Sequence, residues 1–175
     1  MTAAPRVLLD TTVSTTDEMS ALGARLAGVL RAGDLVVLTG PLGAGKTTMT
    51  RGLGAALGAR GQVSSPTFVL ARTHPTTAGP DLVHVDAYRL SDPVELDDLD
   101  LDWDGAIVVV EWGRGFVDGI SEDVLDVEIV RATGGDTADP DVATPAAPLD
   151  PDDVPDEPRR VIVTATGPRW ADVTL

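Results

Sequence analysis

The sequence predicts an α/β domain whose sheet is mixed but mostly parallel, with flanking helices and an antiparallel part late in the chain. Three observations carry that expectation. Leu35-Val36-Val37-Leu38 and Ala106–Val110 are unbroken apolar runs, the pattern of strands buried on both faces of a parallel sheet. Up to Gly58, strand-like and helix-like segments alternate, as parallel strands with helical crossovers require. After Val124 the strand-like segments follow one another without a helix, which favours antiparallel pairing. The 175 residues suit a single domain spanning 1–175.

Val7–Leu9 reads as a short first strand. Thr15-Thr16-Asp17-Glu18 supplies N-cap residues and first-turn acids, which satisfy orphan amides and suit the helix dipole. Leu22, Leu26, Val29 and Leu30 form the i, i+4, i+7, i+8 stripe of an amphipathic helix that runs to Gly33. After the Leu35–Leu38 strand comes the glycine-rich turn Gly40–Gly45. Met49, Leu53 and Leu57 then mark a second helix, stopped near Gly58. Thr67–Leu70 and Leu82–Val85 are expected as two strands around a polar turn holding Pro75, Gly79 and Pro80. Pro93 opens a short helix through Leu96 and Leu99. The Ala106–Val110 strand ends in Glu111, Val124–Val130 and Val161–Ala165 are further strands, and a last one is expected around Asp172–Leu175. Segment 133–158 holds six prolines and eight acids but few large apolar residues, the composition of a disordered loop within the domain.

The charge is unevenly spread. Against 13 bases the chain has 28 acids, a formal −15. Seven acids fall in 91–104 and eight in 133–158, both without a base, so the rest of the body is balanced. Such a surface repels phosphates, which argues against non-specific binding to nucleic acid or to anionic membranes. With no cysteine there is no disulfide framework or thiolate metal site, and a cytoplasmic setting is expected. His74 and His84 are too few for a histidine-rich metal cage. No apolar run reaches membrane-span length, and the first ten residues lack the apolar core of a signal peptide.

One motif carries specific chemistry. Gly40-Pro41-Leu42-Gly43-Ala44-Gly45-Lys46-Thr47 fits G-x-x-x-x-G-K-[ST], between a buried strand and a helix. Small residues let successive amides point at a β-phosphate, and the helix N-terminus adds partial positive charge. Lys46, the only lysine in the chain, reaches the β/γ-phosphates. The Thr47 hydroxyl suits Mg²⁺, and Thr48 suits the α-phosphate. A single P-loop NTPase-like domain is therefore expected, with Gly43, Ala44, Gly45, Lys46, Thr47 and Thr48 as the nucleotide site.

Glu111, at the C-terminal end of a buried strand beside that loop, stands where an acid holds Mg²⁺ or activates water. Asp86, ending the strand Leu82–Val85, is a second candidate at the same sheet edge. Ser65 and Thr67, flanking Pro66, suit either a switch-like loop or ordinary turn chemistry. Arg89 and Arg114 each follow a candidate acid by three residues, a position that serves phosphate neutralisation or a surface ion pair equally. Thr16 is a weaker nucleotide contact, since helix capping alone explains it. For His84, packing or hydrogen bonding outweighs catalysis, and Arg159 and Arg160 are expected to offset the acids before them. Trp103 and Trp112 read first as core or interface residues. The alternation of Leu99, Leu101 and Trp103 with acids reads as a solvated face, or as a docking surface for an arginine-rich partner.

Four motifs in order, Gly43-Ala44-Gly45-Lys46-Thr47-Thr48, Ser65-Pro66-Thr67-Phe68, His84-Val85-Asp86-Ala87-Tyr88-Arg89-Leu90 and Val110-Glu111-Trp112, closely resemble the TsaE family. This is the small bacterial ATPase of threonylcarbamoyladenosine synthesis on tRNA. The resemblance covers about 11–129. It implies a partner-activated ATPase with ATP and Mg²⁺ as cofactors and the TsaD and TsaB subunits as partners, reaching tRNA mainly through them. It further implies that Lys46 and Thr47 bind phosphate and Mg²⁺, and that Glu111 is a Mg²⁺-binding or catalytic acid. Asp86 becomes a second functional acid, Ser65 and Thr67 switch-like, and Trp112 partner- or nucleotide-facing. Pro41 replaces the acid of many members, and 133–158 is longer than the family pattern. The alternatives are a small-molecule or nucleoside kinase and a non-enzymatic nucleotide-gated assembly module. The base-free insert 133–158 argues against the arginine-bearing lid of a kinase.

Overall fold

The computed structural model describes residues 4–64, 69–77, 79–131 and 156–175. In chain order its elements are β1 (Arg6–Val13), α1 (Thr16–Ala27), β2 (Leu35–Thr39), α2 (Lys46–Leu57), β3 (Ala71–His74) and β4 (Leu82–Asp86), then α3 (Pro93–Asp97), β5 (Ile107–Glu111), β6 (Val124–Arg131) and β7 (Arg159–Thr166). The strands form one seven-stranded sheet in the order β1-β7-β6-β2-β5-β4-β3. The central four, β6, β2, β5 and β4, run parallel. β3 joins one edge antiparallel, and β7 and β1 extend the other in antiparallel ladders. This is the expected mixed sheet. β6 and β7, which flank segment 133–158, are direct neighbours, and residues 132–155 lie outside the described region.

Burial follows the pleat. Every residue of β4 and β5 is buried, as the unbroken apolar run of β5 requires, and β4 buries His84 and Asp86 along with its apolar residues. One face of the sheet, with Val36, Leu38, Val109, Val127 and Val163, packs on α1 and α2 and on Trp170. The other, with Val37, Val83, Val85, Val108 and Val110, packs on Leu96 of α3 and on Val117. The β1 and β7 ladder closes over the first core through Val13, Val161 and Ala165.

α1 and α2 cross at glycines. A Cβ on Gly23 would collide with the Met49 carbonyl, and one on Gly52 with the Ser20 carbonyl. The backbones therefore meet directly, which sets the start of α2 against the sheet edge.

Three expectations change. α1 ends at Ala27, not at Gly33: the Gly28 amide bonds back to Arg25 and Leu26, and the Asp34 carboxylate turns the following segment by accepting from the Arg31 amide. Of the strand expected at Thr67–Leu70, Val69 and Leu70 form a turn and β3 begins at Ala71. Residues 65–68 lie outside the described region, and Leu70 is left-handed (φ 62°), its carbonyl accepting from the Asp86 amide. No strand forms at Asp172–Leu175, because Pro168–Trp170 make a 3₁₀ turn that buries Trp170 in the first core. Among the described residues no helix is long and apolar enough to cross a membrane.

Gly52→Ala should lower unfolding stability by about 1–3 kcal/mol in a urea titration, the usual cost of overpacking. An unchanged midpoint would show that the two helices have room to separate.

Candidate functional site

The Leu35–Thr39 strand delivers the chain to the parallel sheet's C-terminal edge, where Gly40–Gly45 turns it into α2. Three positions of the turn need glycine. A Cβ on Gly40 would come within 2.9 Å of the Ile129 carbonyl, and Gly43 and Gly45 take φ of +74° and +106°. The Pro41 carbonyl accepts from the Ala44 amide, closing the turn. Gly45 is the N-cap of α2 and contributes no side chain, so the first amides of the helix stay available to an anion.

Lys46 is buried within this turn. Its Nζ donates to the carbonyls of Gly40 (2.8 Å) and Pro41 (3.1 Å) and lies 4.1 Å from the centre of the Trp112 ring. Burial pushes its pKa below the usual lysine value, and the carboxylates of Glu111 and Asp86 partly restore it.

The two candidate acids stand side by side. Asp86 and Glu111 are register partners at the ends of β4 and β5, and both are buried. Glu111 Oε1 accepts from the Thr47 hydroxyl (3.0 Å) and lies 2.9 Å from His84 Nε2. That contact to a carboxylate requires the proton on Nε2, which leaves Nδ1 a buried acceptor without a partner among the described residues. Hydrogen bonding is thus the role of His84, and it positions Glu111. Asp86 Oδ1 accepts from the Tyr88 amide (3.0 Å). Its carboxyl is pushed above the ordinary aspartate value, mainly by burial and further by Glu111, while the Tyr88 amide, His84 and Lys46 pull it down.

Trp112 follows Glu111 in a left-handed conformation (φ 59°) with its amide donating to the Leu38 carbonyl. This bend turns the indole back over Lys46 and against Tyr88, with ring centres 5.3 Å apart. Thr48 is buried in the first turn of α2. Thr16 starts α1, its amide donating to Asp156. Arg114 is engaged by Asp126 and Glu128, the ion-pair alternative of its sequence reading. Ser65 and Thr67 lie outside the described residues.

Arg159 is a site neighbour that sequence reasoning missed. It starts β7, pairs with Glu157 as expected, and is buried beside the loop. A Cβ on Gly45 would stand 3.4 Å from its Nη1 and 3.2 Å from Cε of Met19. Arg160 pairs with Asp10 across the β1–β7 ladder. Only the pairing of β7 with β6, and of β6 with β2, brings a residue so remote in sequence to the loop.

A glycine turn between a central parallel strand and a helix, a lysine folded into it and acids at the ends of the next two strands, β5 and β4, define a P-loop α/β protein. The family model described as "Threonylcarbamoyl adenosine biosynthesis protein TsaE" matches residues 13–138. The chain belongs to the TsaE family. It is 55% identical over 157 residues to the tRNA threonylcarbamoyladenosine biosynthesis protein TsaE of Streptomyces coelicolor, covering 87% of this chain and 94% of that one. With the protein of the same name from Bacillus subtilis it shares 36% identity over 119 residues, 66% of this chain and 73% of that one. The crystal structure of Bacillus subtilis YdiB superimposes with a TM-score of 0.68 at 25% identity, covering 97% of this chain and 90% of the other.

Asp86→Asn should stabilise the ligand-free protein at neutral pH. A carboxyl whose folded pKa is raised contributes stability only while protonated, and that contribution is lost as pH rises from its unfolded towards its folded value. The gain in Tm should therefore fade as pH falls below the ordinary aspartate range. Equal melting temperatures at pH 7 would contradict it.

Proposed function

We propose that this chain is the Mg²⁺-dependent ATPase of tRNA threonylcarbamoyladenosine synthesis, acting with the TsaD and TsaB subunits in the cytoplasm. The observation that carries the reading is the Thr47 hydroxyl lying 3.0 Å from the Glu111 carboxylate at the mouth of a P-loop that holds Lys46. One hydroxyl and one carboxylate are a fitting protein share for Mg²⁺, a hard cation that takes its other oxygens from phosphates and water. Thr47 and Glu111 would hold it, and when bound it neutralises charge on the phosphate oxygens.

The chain's own groups do the rest. The amides of the turn and of the α2 N-terminus receive the β-phosphate. Lys46 exchanges the Gly40 and Pro41 carbonyls for phosphate oxygens, which restores a partner of full opposite charge to a buried ammonium. Asp86, its carboxyl pushed above the ordinary aspartate value and standing beside Glu111, is the proton acceptor for the attacking water. His84 holds Glu111 in place throughout.

An exposed apolar rim supports activation by a partner. Leu42 at the tip of the turn is 86% exposed and Tyr88, against Trp112, is 68% exposed. Covering these residues would exclude water from the site and strengthen every charge interaction in it. The net charge of −15 supports leaving tRNA contact to the partners.

ATP turnover measured with and without purified TsaB–TsaD tests the reading. Turnover should be slow alone and rise with the partners. Lys46→Ala should weaken ATP binding roughly tenfold or more. Unchanged turnover in the presence of the partners would refute the assignment.

A further inference from the structure

Two arginines flank the outer side of the phosphate-binding turn, and a carboxylate holds both. Arg159 is 5% exposed at its side chain and stands beside Gly45. Arg131, the last residue of β6, reaches Gly43, where a Cβ would lie 3.8 Å from its Nη2. Between them sits Glu157, with Oε1 2.7 Å from Nε of Arg131 and 3.5 Å from Nη2 of Arg159. Its neighbour Asp156 accepts from the Thr16 amide at the start of α1, 3.3 Å away. Asp156 and Glu157 thus form a short acidic strap from the α1 N-terminus to the rim of the turn.

We propose that Glu157 is an internal counter-anion that sets nucleotide affinity, its carboxylate holding Arg131 and Arg159 in the free protein and competing with nucleotide phosphates for them. The proposal rests on the reading that the turn binds ATP. Three physical points carry it. A buried guanidinium such as that of Arg159 needs an anion close by. Carboxylate and phosphate oxygens are interchangeable partners for its fork of donors, so the partner in the free protein need not be the partner in the complex. The exchange is open to competition, because Glu157 is 27% and Arg131 39% exposed, so solvent screens their pairing, and the contact of Glu157 to Arg159 is the longer of the two at 3.5 Å. In the bound state the negative charge of Glu157 remains at the rim and repels the phosphates, so it opposes binding at both stages.

Glu157→Gln keeps the shape and removes the charge. Titration calorimetry with ADP and with adenosine should show ADP binding roughly three- to tenfold tighter than in the wild type. Adenosine affinity should not change, since the competition is for phosphate. Asp98→Asn, at the C-terminus of α3 on the other face of the sheet, removes the same charge and should leave ADP affinity within about twofold. Thermal unfolding of each variant confirms that it folds. Unchanged or weaker ADP binding in Glu157→Gln, or an equal gain in Asp98→Asn, would overturn the proposal while leaving the P-loop reading intact. If neither the wild type nor Glu157→Gln binds ADP or ATP, the P-loop reading falls, and this proposal with it.

Discussion

The hydrogen bond from the Thr47 hydroxyl to the Glu111 carboxylate joins the glycine-rich turn to the end of β5, and the candidate site is arranged around it. For that bond to form, the first turn of α2 must sit against the C-terminal edge of β5, within a few ångströms. Two close approaches set this position. Gly23 and Gly52 let α1 and α2 touch backbone to backbone, and Gly40 lets the turn lie on the Ile129 carbonyl at the end of β6. A larger residue at any of them would lift α2 from the sheet and part Thr47 from Glu111. Helix packing and site geometry are therefore one constraint.

Electrostatics sharpen the same arrangement. Glu111 and Asp86 are two buried acids in adjacent register, an unfavourable pair on its own. Thr47 and His84 support the first, and the Tyr88 amide supports the second. Lys46, buried among carbonyls and beneath Trp112, contributes the positive charge that both acids feel. The free site is thus polarised in advance, with positive groups in the turn and negative groups at the strand ends. Such an order favours a polyphosphate carried with a cation over a neutral ligand. The left-handed Trp112 belongs to this order, since only that bend brings its ring over Lys46.

Much of this was legible from the residues themselves. Leu35–Leu38 and the Ala106–Val110 run, placed as central strands by their unbroken hydrophobicity, are β2 and β5, paired parallel. The motif Gly40–Thr47 reads locally, because its requirements lie within eight residues. Contacts between remote segments did not read. No local pattern marks Arg159 as a neighbour of Gly45, because their meeting depends on the strand order β7-β6-β2. Likewise Asp10 and Arg160 find each other only through the β1–β7 register. The end of α1 was misplaced because Val29 and Leu30 continue a helical stripe while packing on the core from outside the helix. The Asp172–Leu175 strand failed because the preceding Gly-Pro sequence turns the chain and tertiary burial of Trp170 holds the turn.

The central claim is that the Glu111 carboxylate serves ATP hydrolysis and that this hydrolysis serves tRNA modification. Threonylcarbamoyladenosine formed in a reconstituted reaction with the TsaB–TsaD complex, comparing wild type with Glu111→Gln, tests it most directly. Glu111→Gln should still bind ATP, its turnover should fall about a hundredfold or more as the carboxylate that would hold Mg²⁺ is lost, and sustained modification should fall with it. Full modification by a variant that binds ATP but does not hydrolyse it would contradict the account and leave nucleotide binding alone as the functional event.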